Sequence, residues 1–456
     1  PNILRGPNGF EWWLIYMANK NDEHRGQYIN RVQFFDKTLF VDGITGPRTM
    51  GYHPEPSMPT FAGKGETASF GVLQQVQPSV AYLFETGVKT EGGAGVIAWW
   101  KDADNCAYVG LDAENRSWYL RTLVGGKENK ESYALPEDFR WGVYHHLRIE
   151  RNGGCLKIWL DEIPTPGKHV FAEALPTEEA GVPGVFDETK SALFEGAAYT
   201  IGFDDVHFQL SGNEELLKGD FLNDYELSFQ LSGLSGQDKA GSYPVYVDKD
   251  NYVKAQFDGI TRMLEVTAVK KGKTAWKKEF PLGCLQTLYP DVKYTDFIEK
   301  GYRFAAPAWL DTLYLNRHEA GNKSEFVDDM FGKFDIEYLN GGEWHPIENK
   351  DRGIAEHPAY NYCTFTPVKA EGIRFINKEA EDLERHIYKI GVHELWKESY
   401  NFRAVRRADK LYLFVDGREL GALDIRYPAS RIGFCSEGGS PVYSGTLYYH
   451  VGQRRD

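Results

Sequence analysis

Leu147–Glu162 reads LRIERNGGCLKIWLDE, Phe402–Gly417 reads FRAVRRADKLYLFVDG, and the two superimpose without a gap. Leu147 falls on Phe402, Arg148 on Arg403, Arg151 on Arg406, Leu156 on Leu411, Ile158 on Leu413, Leu160 on Val415 and Asp161 on Asp416. In each copy apolar residues recur at every second position on either side of a short polar turn, Asn152-Gly153-Gly154 in one and Ala408-Asp409-Lys410 in the other. Period two broken by turn residues is the pattern of a half-buried hairpin, so each copy is expected to be two antiparallel strands.

Working outward, DADNCAYVGLD from Asp102 matches DKDNYVKAQFD from Asp248, and Ile201-Gly202-Phe203 is set against Ile432-Gly433-Phe434. Three landmarks in one order predict a duplicated domain. The first is displaced by 146 positions (102 to 248) and the hairpin by 255 (147 to 402), so the second copy holds roughly 110 extra residues between them. That is room for an inserted domain.

The 456 residues suffice for three or four domains, each with its own core. With 27 Tyr, 27 Phe, 11 Trp and 47 Gly, and no long Ala/Leu/Glu stretch, the composition is that of an all-β protein of short strands and glycine turns. A net charge of −14 excludes a nucleic-acid partner, whose phosphates need Lys and Arg to neutralise them. Five cysteines without CxxC spacing give neither a zinc site nor a disulfide framework. No run of 18 apolar residues is present to span a membrane. No signal peptide is present, and the chain starts at Pro1, which reads as processing, truncation or an incomplete chain.

GPNGFEWWLIY from Gly6, RGQYINRVQFFD from Arg25 and LFVDGITGP from Leu39 occur in that order. Together they resemble the closing segment of the five-bladed β-propeller of glycoside hydrolase family 43. The resemblance implies a carbohydrate-active, extracytoplasmic parent whose catalytic carboxylates lie outside these residues, so no catalytic residue is assigned. The following stretches resemble the concanavalin-like sandwiches appended to such enzymes. Asn340-Gly341-Gly342-Glu343-Trp344, Thr364–Ala370 and the final VHELW resemble a discoidin-type, galactose-binding-like module.

The expected architecture is therefore all-β throughout: an incomplete β-propeller tail and linker (1–60), a first concanavalin-like sandwich (61–212), and a second (213–284 and 397–456) interrupted by a discoidin-like jelly roll (285–396). The expected function is the mainly non-catalytic, C-terminal portion of a glycoside hydrolase acting on a complex polysaccharide. The alternative is a stand-alone glycan-binding protein.

Sugar binding uses aromatic faces against the C–H side of a pyranose, with polar neighbours for its hydroxyls. The candidates are Trp99, Trp100, Trp118 and Trp344, with Tyr144, Trp159 and Trp396 behind them. Trp99 and Trp100 are adjacent on a strand, so one faces the core and the other solvent. Glu11, beside Trp12-Trp13, is the one tempting acid, although a carboxylate at a strand end is more often solvated. Asp102-Ala103-Asp104-Asn105 and Asp248-Lys249-Asp250-Asn251 have the oxygen spacing of a calcium loop, but equally that of a turn whose side chains bond their own backbone. By resemblance, Asp204-Asp205 occupies the place of a structural calcium, the only cofactor implied. His145 and His146 are expected to be structural. The expected partner is a poly- or oligosaccharide.

Overall fold

The structure, a computed structural model, describes residues 2–21, 24–35, 38–41, 56–63, 65–69, 71–161, 170–171, 178–293, 302–318, 330–348, 351–355, 360–377, 387–397 and 399–452. Residues 42–55 of the expected propeller tail and linker lie outside them. Antiparallel strands make up almost everything described, with a single 3-10 turn at Met330–Lys333.

Each hairpin forms as the period-two pattern requires, with Ile149 opposite Ile158 in one copy and Ala404 opposite Leu413 in the other. In the first copy the hairpin joins Ala81–Lys89 and Leu193–Gln209 in one sheet. Facing it is a six-stranded sheet that includes Ala94–Asp102, Asn105–Asp112, Ser117–Val124 and Val182–Asp187. The second copy repeats the plan. Its hairpin sits with Asp224–Ser232 and Val442–His450, opposite a sheet that includes Lys239–Asp248, Asn251–Asp258, Met263–Lys270 and Ser430–Glu437. Side chains from all these strands merge in one apolar core.

The two copies are not merely adjacent. Leu193–Gln209 pairs with Val442–His450, from Gly202↔Tyr449 to Gln209↔Val442, so one sheet of twelve strands runs through both. A separate seven-stranded sheet, from Cys284–Lys293 to Ile387–Trp396, has its own core around Leu310, Leu313, Phe334 and Phe375.

The duplication reaches individual bonds. Tyr82 donates to the Ala98 carbonyl at 2.6 Å and Tyr225 to that of Pro244 at 2.6 Å. Tyr82 lies 5.3 Å from Tyr199 at 52°, and Tyr225 5.3 Å from Tyr448 at 55°. The buried guanidiniums of Arg151 and Arg406 sit over Tyr82 and Tyr225 and donate to backbone carbonyls, Ser79 in one copy and Tyr427 and Pro428 in the other. Asp161 and Asp416 adopt left-handed φ of 56° and 49°, and each accepts one backbone N–H at 2.9 Å, from His146 and Asn401. A Cβ on Gly95 would meet the Val109 carbonyl oxygen at 2.1 Å, and one on Gly241 that of Ala255 at 2.1 Å, so both strands require glycine.

The third landmark needs correction. Ile201-Gly202-Phe203 lies in the twelve-stranded sheet, whereas Ile432-Gly433-Phe434 lies in a six-stranded one. By register the counterpart of Gly433, which pairs with Tyr243, is Gly184, which pairs with Ile97. A three-residue apolar-Gly-aromatic match is too short to fix a strand's partner.

Candidate functional site

The first strands form a four-stranded meander, Asn2–Arg5, Trp12–Asn21, His24–Phe35 and Thr38–Val41. Asn8 organises its entry by accepting the N–H groups of Phe10 and Glu11 at 3.1 and 3.0 Å. The meander sits on the outer side of the twelve-stranded sheet, over the seam between the copies. Phe10 packs with Leu83 of the first copy, and Arg31 meets Glu226 of the second, at 3.0 Å. Leu83 and Glu226 occupy equivalent positions, one residue after Tyr82 and Tyr225. Arg148 adds a bond to the Gly9 carbonyl at 3.0 Å. Gly445 lets the strands approach closely, since a Cβ there would lie 2.4 Å from the Phe34 carbonyl oxygen.

Glu11, expected to be solvated, is 1% exposed. Its carboxylate accepts from Trp13 Nε1 (3.0 Å), the Ser57 N–H (2.9 Å) and Tyr449 Oη (2.8 Å), and Arg31 Nη1 lies 3.5 Å away. Arg31 is itself 1% exposed and lies over the Trp13 and Tyr449 rings, 5.6 Å from each. Burial works against ionisation of Glu226, but Arg31 and Arg403 outweigh it and hold the carboxyl below its usual range. Three neutral donors and the cation it shares with Glu226 hold the Glu11 carboxylate in place and fasten the sheet, with no open side for a substrate.

The acidic turns resolve toward the backbone-bonded alternative. Asp102 Oδ1 accepts from the Asp104 N–H and Asn105 Nδ2 at 3.0 and 2.8 Å, and Asp248 Oδ1 from the Asp250 N–H and Asn251 Nδ2 at 2.8 and 2.9 Å. No group of three His, Cys, Asp or Glu suited to a metal occurs among the described residues. Asp204 is exposed on Leu193–Gln209, while the side chain of Asp205 lies outside the described residues. His145 stacks on Phe139 with centroids 4.0 Å apart and bonds Asp161 at 2.8 Å, a packing role, while His146 lies 3.6 Å from Glu85.

Of the tryptophans, Trp99 is fully enclosed in the core and offers no face to a ligand, because its neighbour Trp100 takes the outward position. Trp118 is half-buried and stacks on Tyr133 at 4.5 Å. Arg374 covers Trp344 at 4.6 Å, and Arg148 covers Trp159 at 5.3 Å. Trp396 is buried. Tyr144 is exposed and donates to Glu66. The structure does not bring Trp100, Trp118 and Trp344 together.

Sequence reasoning missed the outer faces of the two six-stranded sheets. On the first, Tyr108 meets Phe186 edge-on at 5.2 Å, with Arg121 over the Tyr108 ring and paired to Glu128 at 2.9 Å. On the second, Tyr246 and Tyr252 stack at 6.4 Å, and Tyr243 stands edge-on to both. Arg431 lies over both Tyr246 and the exposed Phe221, and Lys254 bonds Glu437 at 2.6 Å. Aromatic rings flanked by charged hydrogen-bonding groups are the chemistry of a sugar platform. The signal was present in the outward positions of SYPVYVDKDNYVK, which carry tyrosine where the inward ones carry small apolar residues.

No known family model matches the chain, and no curated protein matches it in sequence. Among solved structures it is similar to the Caenorhabditis elegans galectin LEC-6, at 15% identity over 30% of this chain and 95% of that one (TM-score 0.24). It is also similar to the carbohydrate binding module CBM66 from Bacillus subtilis, at 14% identity over 41% and 94% (TM-score 0.23). A third similarity is to an Aspergillus kawachii beta-fructofuranosidase complexed with glycerol, at 10% identity over 99% and 70% (TM-score 0.27). At these scores none of the likenesses carries any part of the functional argument.

Proposed function

We propose that this chain is the C-terminal, mainly non-catalytic portion of an extracytoplasmic glycoside hydrolase of the family 43 kind, acting on a complex polysaccharide. One observation carries the reading. Among the described residues, seven of the twelve exposed large hydrophobics belong to the small four-stranded sheet, and they lie on both its faces. Register puts Leu4, Ile15, Met17 and Ile29 on one face and Ile3, Phe34 and Leu39 on the other. A sheet apolar on both sides is built to be covered on both. On the first face the sandwiches cover one end, around Trp13, Arg31 and Phe35, and on the second Asn30 and Val32 are buried while Ile3, Phe34 and Leu39 stay exposed. The occupant that fits is further β-sheet of the same carbohydrate-active propeller, with the paired sandwiches as its rigid seat.

The test is to incubate this chain with a panel of plant and bacterial polysaccharides and follow released sugars by chromatography. The reading expects none, and steady turnover by this chain alone overturns it. The tyrosine platform of the second copy favours the alternative, a stand-alone glycan-binding protein. Saturable heat on titration with one glycan, from a chain that stays monomeric and binds no propeller domain, would select that alternative.

A further inference from the structure

The segment from Thr60 to Gln77 crosses the first copy beside the seam. Phe61 and Ala62 pair with Tyr199 and Ala198, and the Gly63 N–H donates to the Ala197 carbonyl at 2.7 Å. Two cavities open along this segment, of about 410 Å³ and 350 Å³. Both are lined by Phe61 and Gln75, so they adjoin as neighbouring hollows of the cleft around these two residues. Ile201 closes it from the first copy, and Leu222 and His450 from the second. Each volume lies in the range of about 300–1,000 Å³ usual for small-molecule sites, and a junction between domains is where such sites concentrate.

The lining is unlike the rest of the molecule. Charged residues make up 26% of the chain, yet no Asp, Glu, Lys or Arg lines either cavity among the described residues. Burial holds the His450 imidazole below its usual range, so it is neutral at pH 7. Its ring bonds Thr60 Oγ1 at 3.2 Å. Against this uncharged wall stand the amides of Gln74, Gln75 and Gln77, all exposed and making no side-chain hydrogen bond to a described residue. Each amide offers two donors and an acceptor, the set that a pair of neighbouring hydroxyls requires. The ring of Phe61, central to both cavities, supplies the apolar surface that a pyranose C–H face needs. An ionic ligand would lose its hydration here without meeting a counter-charge.

We infer that the cleft around Phe61 and Gln75 binds one or two uncharged sugar residues of a neutral polysaccharide, an inference that rests on the carbohydrate-directed reading proposed for the chain. The amides hold the hydroxyls and Phe61 supports the ring, and among the described residues no cation lines the cleft to receive a uronate.

The experiment is calorimetric titration of the full chain with neutral hexasaccharides (xylan-, mannan-, glucan- and fructan-derived) and with oligogalacturonate. It is repeated on a Gln75→Ala/Gln77→Ala double variant and on Tyr246→Ala. The cleft predicts binding of a neutral hexasaccharide and a rise in Kd of roughly 5- to 50-fold in the glutamine variant, the loss of two exposed hydrogen bonds. The melting temperature of the glutamine variant stays unchanged. Neutral-sugar binding that survives the glutamine variant but falls in Tyr246→Ala overturns the cleft while keeping a glycan-binding chain. Equal binding of oligogalacturonate also overturns it. No binding to any of these glycans overturns the cleft, whereas release of sugars by the chain itself overturns the non-catalytic reading alone.

Discussion

Replacing Arg31 by methionine removes the cation shared by Glu11 and Glu226 while keeping a long, apolar stem between Trp13 and Tyr449. All three charged groups are at most 1% exposed, so neither carboxylate can recover its lost partner from water. Breaking a buried ion pair from one side costs about 3–5 kcal/mol. The lower figure applies here, because Glu11 keeps three neutral donors and Glu226 keeps the field of Arg403. About 3 kcal/mol is a rise of about 100-fold in the population of the undocked sheet. Hydrogen exchange reads this directly: amides of Trp12–Asn21 and His24–Phe35 should exchange about 100-fold faster, while Asp224–Ser232 beneath them stays protected. A second change, Glu226→Gln, neutralises one orphaned charge and should recover part of the protection. An Arg31→Met protein whose small sheet exchanges within about threefold of the parent would show that the ion pair does not fasten it. The pH dependence follows the same chemistry. The folded-state pKa of Glu226 lies below its ordinary 4.5, so the stabilisation is fully present above that value and is lost as pH falls through the folded one. Exchange of the small sheet should therefore accelerate in acid, and Glu226→Gln should flatten that limb.

Gly95→Ala and Gly241→Ala each drive a methyl into a carbonyl oxygen of the neighbouring strand, and each should lower the thermal midpoint by an amount matching about 1–3 kcal/mol or more; a neutral result at either position breaks the proposed equivalence. In the seven-stranded sheet, the hydrogen bond that His393 Nδ1 donates to the Asp311 carboxylate at 2.8 Å raises the His393 pKa above its usual 6.5. That contribution is present below 6.5 and disappears as pH rises through the folded value, so Asp311→Asn should remove the fall in melting temperature that sets in as pH rises above 6.5. Replacing Met17 and Ile29 with lysine should weaken fluorescence of an apolar dye on the small sheet with little change in the melting transition, since both side chains are exposed.

The hairpins were legible because one buried face imposes period two on the sequence, and the Asp-x-Asp-Asn turns because their bonds are local. Glu11 shows where such reading stops: its partner Tyr449 is 438 residues away, and adjacency to Trp12 and Trp13 says nothing about that approach. The continuous sheet was hidden for a similar reason. Leu193–Gln209 alternates as any half-buried strand does, and nothing in it specifies Val442–His450 as the neighbour. Trp99 is buried because a large aromatic at an alternating position is first of all a core residue, and the outward tyrosines of the second copy carry weaker hydrophobic contrast.

The joining of Leu193–Gln209 to Val442–His450 also governs how the molecule bears force. Cross-strand hydrogen bonds run from one repeat into the other, so sliding one past the other along the strand direction loads that row of bonds together in shear. Whatever is mounted over that join is carried on a stiff beam, and its aim relative to both repeats is set by backbone geometry instead of by the slack of a tether.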